Sequence, residues 1–473
     1  TTNNSMDAVT LQTTLSRNRV NSVFGNFSLG YKDFLYADFG WRNDWSSTLP
    51  VANNRYFYPA IEGSFILSDL QFIKDIPAIS YIKLRGSIAQ VGKDAGPLEI
   101  DPQLEYSDLS GGGFKYGFTG PNPRLRSEMT TAHRGGVDLR FFNNRLNASF
   151  TYFGTRNADQ IVKGFRLSYA TGFVLNNMNV GTFKTWGWEG HIDGEMNKNP
   201  NGLTWNVGVN ASQGKSKVLY LPENVTEYYN AYTWNSGNVR HGIMVGHPIT
   251  TLTGLAYERN ENGEILVSPS TGLPITKSQW SVIGDREPKV RFGINTSLTY
   301  KNLRLSGLFA GRYGATVING TKRLMMSNGL SWESVALRES GPYIFNGVLR
   351  DGNENTTNPT KNNIAVDYRA YGATIFSGGD EDWLEKNVNY MRLQEVRLSY
   401  RIPKSLLGRG KILSAMDVYF VGNDLLTWTN YSGIDAVGNT VSAAAGGTGG
   451  EGYDVWSIPN PRGFSLGLSL TLN

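Results

Sequence analysis

The sequence predicts an all-β fold: a transmembrane antiparallel β-barrel wall of about thirteen strands, with long loops on one side. Three observations predict it. The first is alternation, as where Phe464, Leu466, Leu468, Leu470 and Leu472 interleave with Ser465, Gly467, Ser469, Thr471 and Asn473. Successive strand side chains project to opposite sides, so such a ribbon has one greasy and one wet face. The second is that the pattern recurs about a dozen times at the length a tilted barrel strand needs. The third is that the connections alternate between short and long, as tight turns on one side of a barrel and extended loops on the other require. No stretch of the roughly 18 apolar residues that a helical span needs occurs anywhere.

The expected strands, in chain order, are 17–30, 34–45, 55–68, 80–92, 130–142, 145–162, 178–195, 203–220, 289–301, 303–314, 389–402, 415–429 and 464–473. Leu203, Trp205, Val207, Val209 and Ala211 oppose Thr204, Asn206, Gly208, Asn210 and Ser212. Val396, Leu398, Tyr400 and Ile402 oppose Glu395, Arg397, Ser399 and Arg401. A hydrated lumen permits such charges of both signs, and a dry core does not. Short connections fall near Tyr31–Asp33, Asp69–Ile79, Asn143–Asn144, Asn197–Gly202, Asn302 and Pro403–Ser414. Long ones fall near 46–54, 93–129, 163–177, 221–288, 315–388 and 430–463. With the short turns periplasmic, the first and last strands both run toward the periplasm. That odd count, and the cost of an open sheet edge in hydrocarbon, lead to the expectation that this chain is the later part of a larger barrel.

Composition agrees with this reading. Of 473 residues 12% are aromatic, 18% are charged and 55 are Gly, and the mean hydropathy of −0.33 suits alternating strands. The net charge of +5 contains no dense basic block, so nucleic acid is not an expected partner. Cysteine is absent, which excludes disulfides and thiolate metal sites. Thr1–Ser5 reads as the start of a mature or internal segment and not as a secretory signal.

Several segments resemble the SusC/RagA-type TonB-dependent outer-membrane transporters of Bacteroidetes. They are RNRVNSVFGNFSLGYKDFLYADFGWRNDWSSTLP (17–50), NNRYFYPAIEGSF from Asn53, IMVGHPI (243–249) and IGDREPKVRFGI (283–294). NYMRLQEVRLSYRIPKSLL (389–407), VGNDLLTWTNYSGIDA (421–436) and the closing IPNPRGFSLGLSLTL complete the set. The resemblance implies that residues 1–473 form the C-terminal portion of a 22-stranded barrel, beginning at its tenth strand, with the plug domain and early strands absent from this chain. It implies uptake of oligosaccharides or oligopeptides, a SusD-like surface lipoprotein as lid, outer-membrane lipid around the wall, and energy from TonB–ExbB–ExbD through the missing region. In that scheme Arg291, Glu395, Arg397 and Arg401 are lumen-facing candidates that hold the plug or line its exit path.

No covalent chemistry is expected, and no cofactor or metal. The four histidines are scattered, and neither HExxH nor GxSxG occurs. Gly111–Gly113 and Ala443–Gly452 read as loops. Asp351–Asn355 and Asp380–Asp382 offer clustered oxygens but lack a full calcium-loop pattern, so they read as solvated loop. Tyr228, Tyr229, Tyr232 and Trp234, with Tyr453 and Trp456, are candidate substrate or partner contacts, since aromatic faces stack on sugars and peptide side chains. Packing within the loops or against a partner is the plainer reading of all six. Trp41, Trp45, Trp186, Trp188 and Trp428 read as belt or wall residues. The alternatives are a passive porin or adhesin-like barrel, and a soluble carbohydrate-binding β-protein.

Overall fold

The computed structural model describes residues 15–102, 104–107, 112–165, 173–197, 199, 202–223, 225–232, 239–372, 379–407, 413–437, 452–456 and 458–472. Thirteen strands form one antiparallel sheet, each hydrogen-bonded to its neighbour in sequence. They are β1 (Val20–Tyr31), β2 (Leu35–Ser46), β3 (Arg55–Ile66), β4 (Ile79–Lys93), β5 (Glu128–Phe141), β6 (Leu146–Ala158) and β7 (Thr182–Asn197), followed by β8 (Leu203–Tyr220), β9 (Val290–Tyr300), β10 (Leu303–Asn319), β11 (Leu384–Arg401), β12 (Leu413–Thr429) and β13 (Gly463–Leu472). Every expected strand is present. The turns between β1 and β2 and between β5 and β6 are tight and left-handed, with positive φ at Lys32 and Asp33 and at Phe142, Asn143 and Asn144. Such turns match the right-handed twist of the strands they join.

The chain divides into two compact units, one of residues 1–64, 86–133 and 155–182 and the other of the remainder. In the first, Trp41 lies over Gly25, its cross-strand partner, where an added Cβ would meet the indole at 3.0 Å. Above these strands Leu49, Tyr56, Ala95 and Leu125 make a small core, and Ser46 Oγ donates to Asp94 Oδ2 at 2.5 Å.

In the second unit the register of β8–β13 sorts residues into rows across the sheet. One row reads Trp205, Leu298, Leu305, Leu398, Phe420, Leu466. Its members are 37–77% exposed, and Leu468 and Leu470 beside it are 51% and 50% exposed. A continuous exposed apolar face of this kind is the surface a bilayer covers, at about 1.5–3 kcal/mol for each large side chain taken from water. The next row, on the opposite face, reads Asn206, Ser297, Ser306, Arg397, Val421, Ser465.

The long connections of this unit are folded, which differs from the loops expected at 221–288 and 315–388. They hold a four-stranded sheet of Tyr228–Tyr232, Arg240–Ile243, Thr251–Gly254 and Ser281–Asp285, a parallel pair Leu266–Val267 with Val348–Leu349, and helices Gly320–Ser327 and Trp332–Glu339. Their core joins Val239, Leu252, Tyr257, Val267, Ile318, Phe345, Trp383 and Tyr453. β10 and β11 reach into it, ending and starting five residues beyond the expected bounds. Irregular pairing between Arg312 and Val317 breaks the period of two there, and Val317 and Ile318 are fully buried, so alternation does not mark the extension.

Candidate functional site

The polar face of β9–β13 carries a hollow of about 600 Å³ whose lining includes Arg304, Glu395, Arg397, Arg401 and Asp417. Three of the four lumen-facing candidates therefore come together. Arg401 forks onto Asp417, with Nε 2.9 Å from Oδ1 and Nη2 3.3 Å from Oδ2. The Arg397 guanidinium sits 4.0 Å above the centroid of the Tyr419 ring. Tyr419 in turn lies across Gly467, its register partner, and a Cβ at 467 would overlap the ring. The glycine thus lets an aromatic lie flat on the sheet and carry a cation. Arg304 Nη2 donates to Ser297 Oγ at 3.4 Å. Arg291 is elsewhere: it pairs with Glu287, four residues away, at the other end of β9.

Nearer the loops, a bulge in β11 places a cation that parity counting misses. Pairing slips between Leu393 and Glu395 against both β10 and β12. Gln394 is the extra residue, so Arg392 and Tyr390 join the face of Glu395 and Arg397 although their numbers are even. Arg392 Nη2 is 2.9 Å from Asp435 Oδ1, its Nη1 is 3.7 Å from Asp424 Oδ1, and its Nε donates to Thr427 Oγ1 at 3.2 Å. Arg312, buried on β10, donates to the carbonyls of Ala436 and Val437. Two cations therefore fasten the segment Tyr431–Val437 onto the polar face, and Ser432 adds bonds to Glu385. The signal was in the sequence as a break in alternation at Gln394–Glu395, two residues after an arginine.

The aromatic candidates are distributed unevenly. Tyr228 is buried, which pushes its hydroxyl up to about 12. Tyr229 and Tyr232 are placed by backbone register opposite Gly242 and Arg240. Trp234 lies outside the described residues. Tyr453 is fully buried in the loop core, and Tyr453–Asp454 pairs in parallel with Ile318–Asn319. Trp456 is 61% exposed, and its N–H donates to Thr321 Oγ1 at 2.8 Å. Burial of Tyr228 and Tyr453 fits the loop-packing reading of those two, and Trp456 is an aromatic surface.

The acidic run Asp380–Asp382 is spent on loop-to-loop bonds. Asp380 Oδ2 accepts from the Leu255 N–H at 2.7 Å, Asp382 Oδ2 from the Tyr257 hydroxyl at 2.5 Å, and Glu381 Oε1 from Arg259 Nη2 at 2.5 Å. Three consecutive acids so pin three alternate residues of one extended segment. Burial raises the Asp382 carboxyl to about 6. In 351–355, Asp351 and Glu354 accept from backbone N–H groups of their own turn, and Asn355 accepts from Glu261. His241 is buried, its Nε2 2.6 Å from the Ile249 carbonyl, and burial with the nearby Arg286 charge holds its imidazole down at about 4.

No family model matches the chain. TonB-dependent receptor P26 of Formosa agariphila is 26% identical over 489 residues, spanning 96% of this chain and 46% of the receptor. TonB-dependent receptor P39 of the same organism is 28% identical over 513 residues, spanning 98% of this chain and 47% of the receptor. TonB-dependent receptor SusC of Bacteroides thetaiotaomicron is 25% identical over 217 residues, 44% of this chain and 21% of SusC. The chain spans about half the length of the first two receptors. Among solved structures, the RagAB peptide transporter superposes with a TM-score of 0.70 at 22% identity, over 96% of this chain and 48% of that one. These relatives are receptors and transporters, not enzymes, and their site is the outer membrane. The chain is thus an outer-membrane β-barrel polypeptide homologous to the TonB-dependent receptors of the SusC and RagA kind.

Proposed function

We propose that this chain supplies the C-terminal wall and surface loops of an energised outer-membrane importer for oligosaccharides or oligopeptides. What carries the reading is the match to TonB-dependent receptors across 96% of the chain. The strands expected before β1 belong to the same barrel and seal the open edges of β1 and β13, since unpaired backbone groups cost several kcal/mol each in hydrocarbon. The folded loops form a platform for a SusD-like lipoprotein, and Leu330 and Trp332, 68% and 87% exposed at the joint between the two loop helices, are apolar side chains available to it. The polar face lines the path of the solute and of a plug that TonB pulls upon.

Uptake measured with and without TonB in the source bacterium tests this. Energised import predicts that loss of TonB abolishes uptake as fully as deletion of the gene itself does. Uptake that persists without TonB replaces the proposal with a passive barrel.

A further inference from the structure

We propose that the outward face of the wall, where β7 and β8 meet the long connections, binds the anionic phosphate headgroups of outer-leaflet lipid. Along β8 this face reads Leu203, Trp205, Val207, Val209 and Ala211, and then changes to Gln213, Lys215 and Lys217. At about 3.4 Å per residue and a tilt near about 40°, the run from Leu203 to Lys215 rises about 30 Å, the thickness of a hydrocarbon core. The two lysines therefore stand at the headgroup level of the far leaflet, and both are exposed. β7 repeats the order. Met196, Ile192 and Trp188 lead up to Trp186 and Lys184, whose Nζ lies 4.8 Å from the Trp186 ring centroid. The Gln213 carbonyl lies against Gly187, so Lys184 is level with Lys215 and Lys217 on the neighbouring strand. On the other side of β8, Gln213 Nε2 donates to the Lys289 carbonyl at 2.9 Å, and Lys289 Nζ sits 5.9 Å from the ring centroid of Tyr313, which faces outward. Four lysines thus form one belt above an apolar and aromatic band.

Nothing on this face neutralises the belt. β8, β9 and β10 contain no acid, and those of β7, Glu189, Asp193 and Glu195, have the parity of the polar face. Lys215 and Lys217 bond to no carboxylate among the described residues. Like charges so placed repel unless anions stand among them. The belt lies on the face opposite the lumen, and β7–β10 stand inside the sheet, away from the open edges of β1 and β13. Its exposure therefore belongs to the outer surface of the wall. Lysine carries a compact charge on a long apolar stem that reaches from a strand to a headgroup, and Trp and Tyr mark the same level. Because the belt continues the lipid-covered rows below it, its occupant is a lipid headgroup and not a soluble phosphate.

Native mass spectrometry of the intact protein in detergent tests this with diphosphorylated lipid A, the same lipid with its phosphates removed, and phosphatidylcholine. The phosphorylated lipid binds roughly tenfold or more tightly than the other two, and Lys184→Gln/Lys215→Gln/Lys217→Gln removes that preference. The matching triple arginine variant keeps it, since charge at this level is what is read. Lys277→Gln/Lys361→Gln, two exposed loop lysines, leaves it unchanged. The proposal is overturned if lipid A binds no better than its dephosphorylated form, or if the triple glutamine variant retains the preference. A glutamine variant that changes oligomeric mass with the preference intact overturns it too, and makes the belt a contact with a second copy of the chain. Should that variant fail to show the gel mobility of folded protein, a wild-type preference indifferent to salt overturns it equally. The inference rests on lipid covering the apolar rows and not on transport, so its failure leaves the importer reading standing, and the reverse holds too.

Discussion

The fastening of Tyr431–Val437 to the wall can be measured through Arg392. Its Nη2 is 2.9 Å from Asp435 Oδ1, and the two side chains are 12% and 10% exposed. At an effective dielectric of about 20, charges at that distance attract by roughly 6 kcal/mol before desolvation. Withdrawing both ions from water takes back most of this, so the pair's net worth is far smaller than its gross attraction. Removing one partner is different. Arg392→Met leaves Asp435 and Asp424 facing one another with no cation, and the expected loss is about 3–4 kcal/mol, near the range for breaking a buried pair. Asp435→Asn keeps a hydrogen-bonding oxygen for the guanidinium and costs about 1–2 kcal/mol. The double variant costs less than the sum of the two, with a coupling of about 1–3 kcal/mol. Equilibrium urea unfolding of the intact protein in lipid vesicles supplies the four stabilities, and hydrogen exchange over 431–437 shows whether the segment lifts. A coupling below about 0.5 kcal/mol, or unchanged exchange in Arg392→Met, refutes the idea that this cation holds the segment down.

The two faces of β13 predict opposite tolerances: Leu468→Arg destabilises by about 2–4 kcal/mol in the bilayer, and Ser469→Arg, its neighbour on the polar face, by less than about 0.5 kcal/mol, read by the same unfolding assay. The loop assembly should respond to pH through Asp382, whose folded value of about 6 stands above the ordinary 3.8. Between those values the folded state keeps a proton that the unfolded chain has lost, so loop stability falls as pH rises from about 4 to about 6, by up to about 3 kcal/mol, and Asp382→Asn removes the slope in hydrogen exchange over 255–259. His241 gives the opposite sign, because its folded value of about 4 lies below the ordinary 6.5. Its contribution is complete above about 6.5 and is lost as pH falls toward 4, and His241→Gln should flatten the acid side of exchange in Arg240–Ile243.

The wall was legible because its cause is local. A strand between lipid and water must alternate, and the bounds 203–220 of β8 follow from that rule alone. Arg392 was not legible by the same rule, since one extra residue at Gln394 reverses the parity of everything before it. The loop core was hidden for another reason. Val239, Phe345, Trp383 and Tyr453 meet there from four separate stretches of chain, and none of those stretches carries a period that announces burial. Tyr228 and Tyr453 could be picked out as aromatic but not as interior.

Several of the segments that resemble the transporter family run from a wall strand into a loop, and the contacts at those joints are specific. On the outer face any apolar side chain satisfies the bilayer. A joint has fewer solutions. Arg392 of NYMRLQEVRLSYRIPKSLL needs Asp435 of VGNDLLTWTNYSGIDA, and Arg312 needs the carbonyl of Ala436 two strands away in sequence order. In IMVGHPI, Gly246 takes a φ of +89°, which a side chain would strain, and the turn it makes docks by backbone bonds between Val218 and both Gly246 and His247. In IGDREPKV, Asp285 caps the turn by accepting from the Glu287 N–H at 3.1 Å and from the Thr250 hydroxyl at 2.6 Å. Each joint converts a flexible exit from a strand into a fixed direction for the loop that follows.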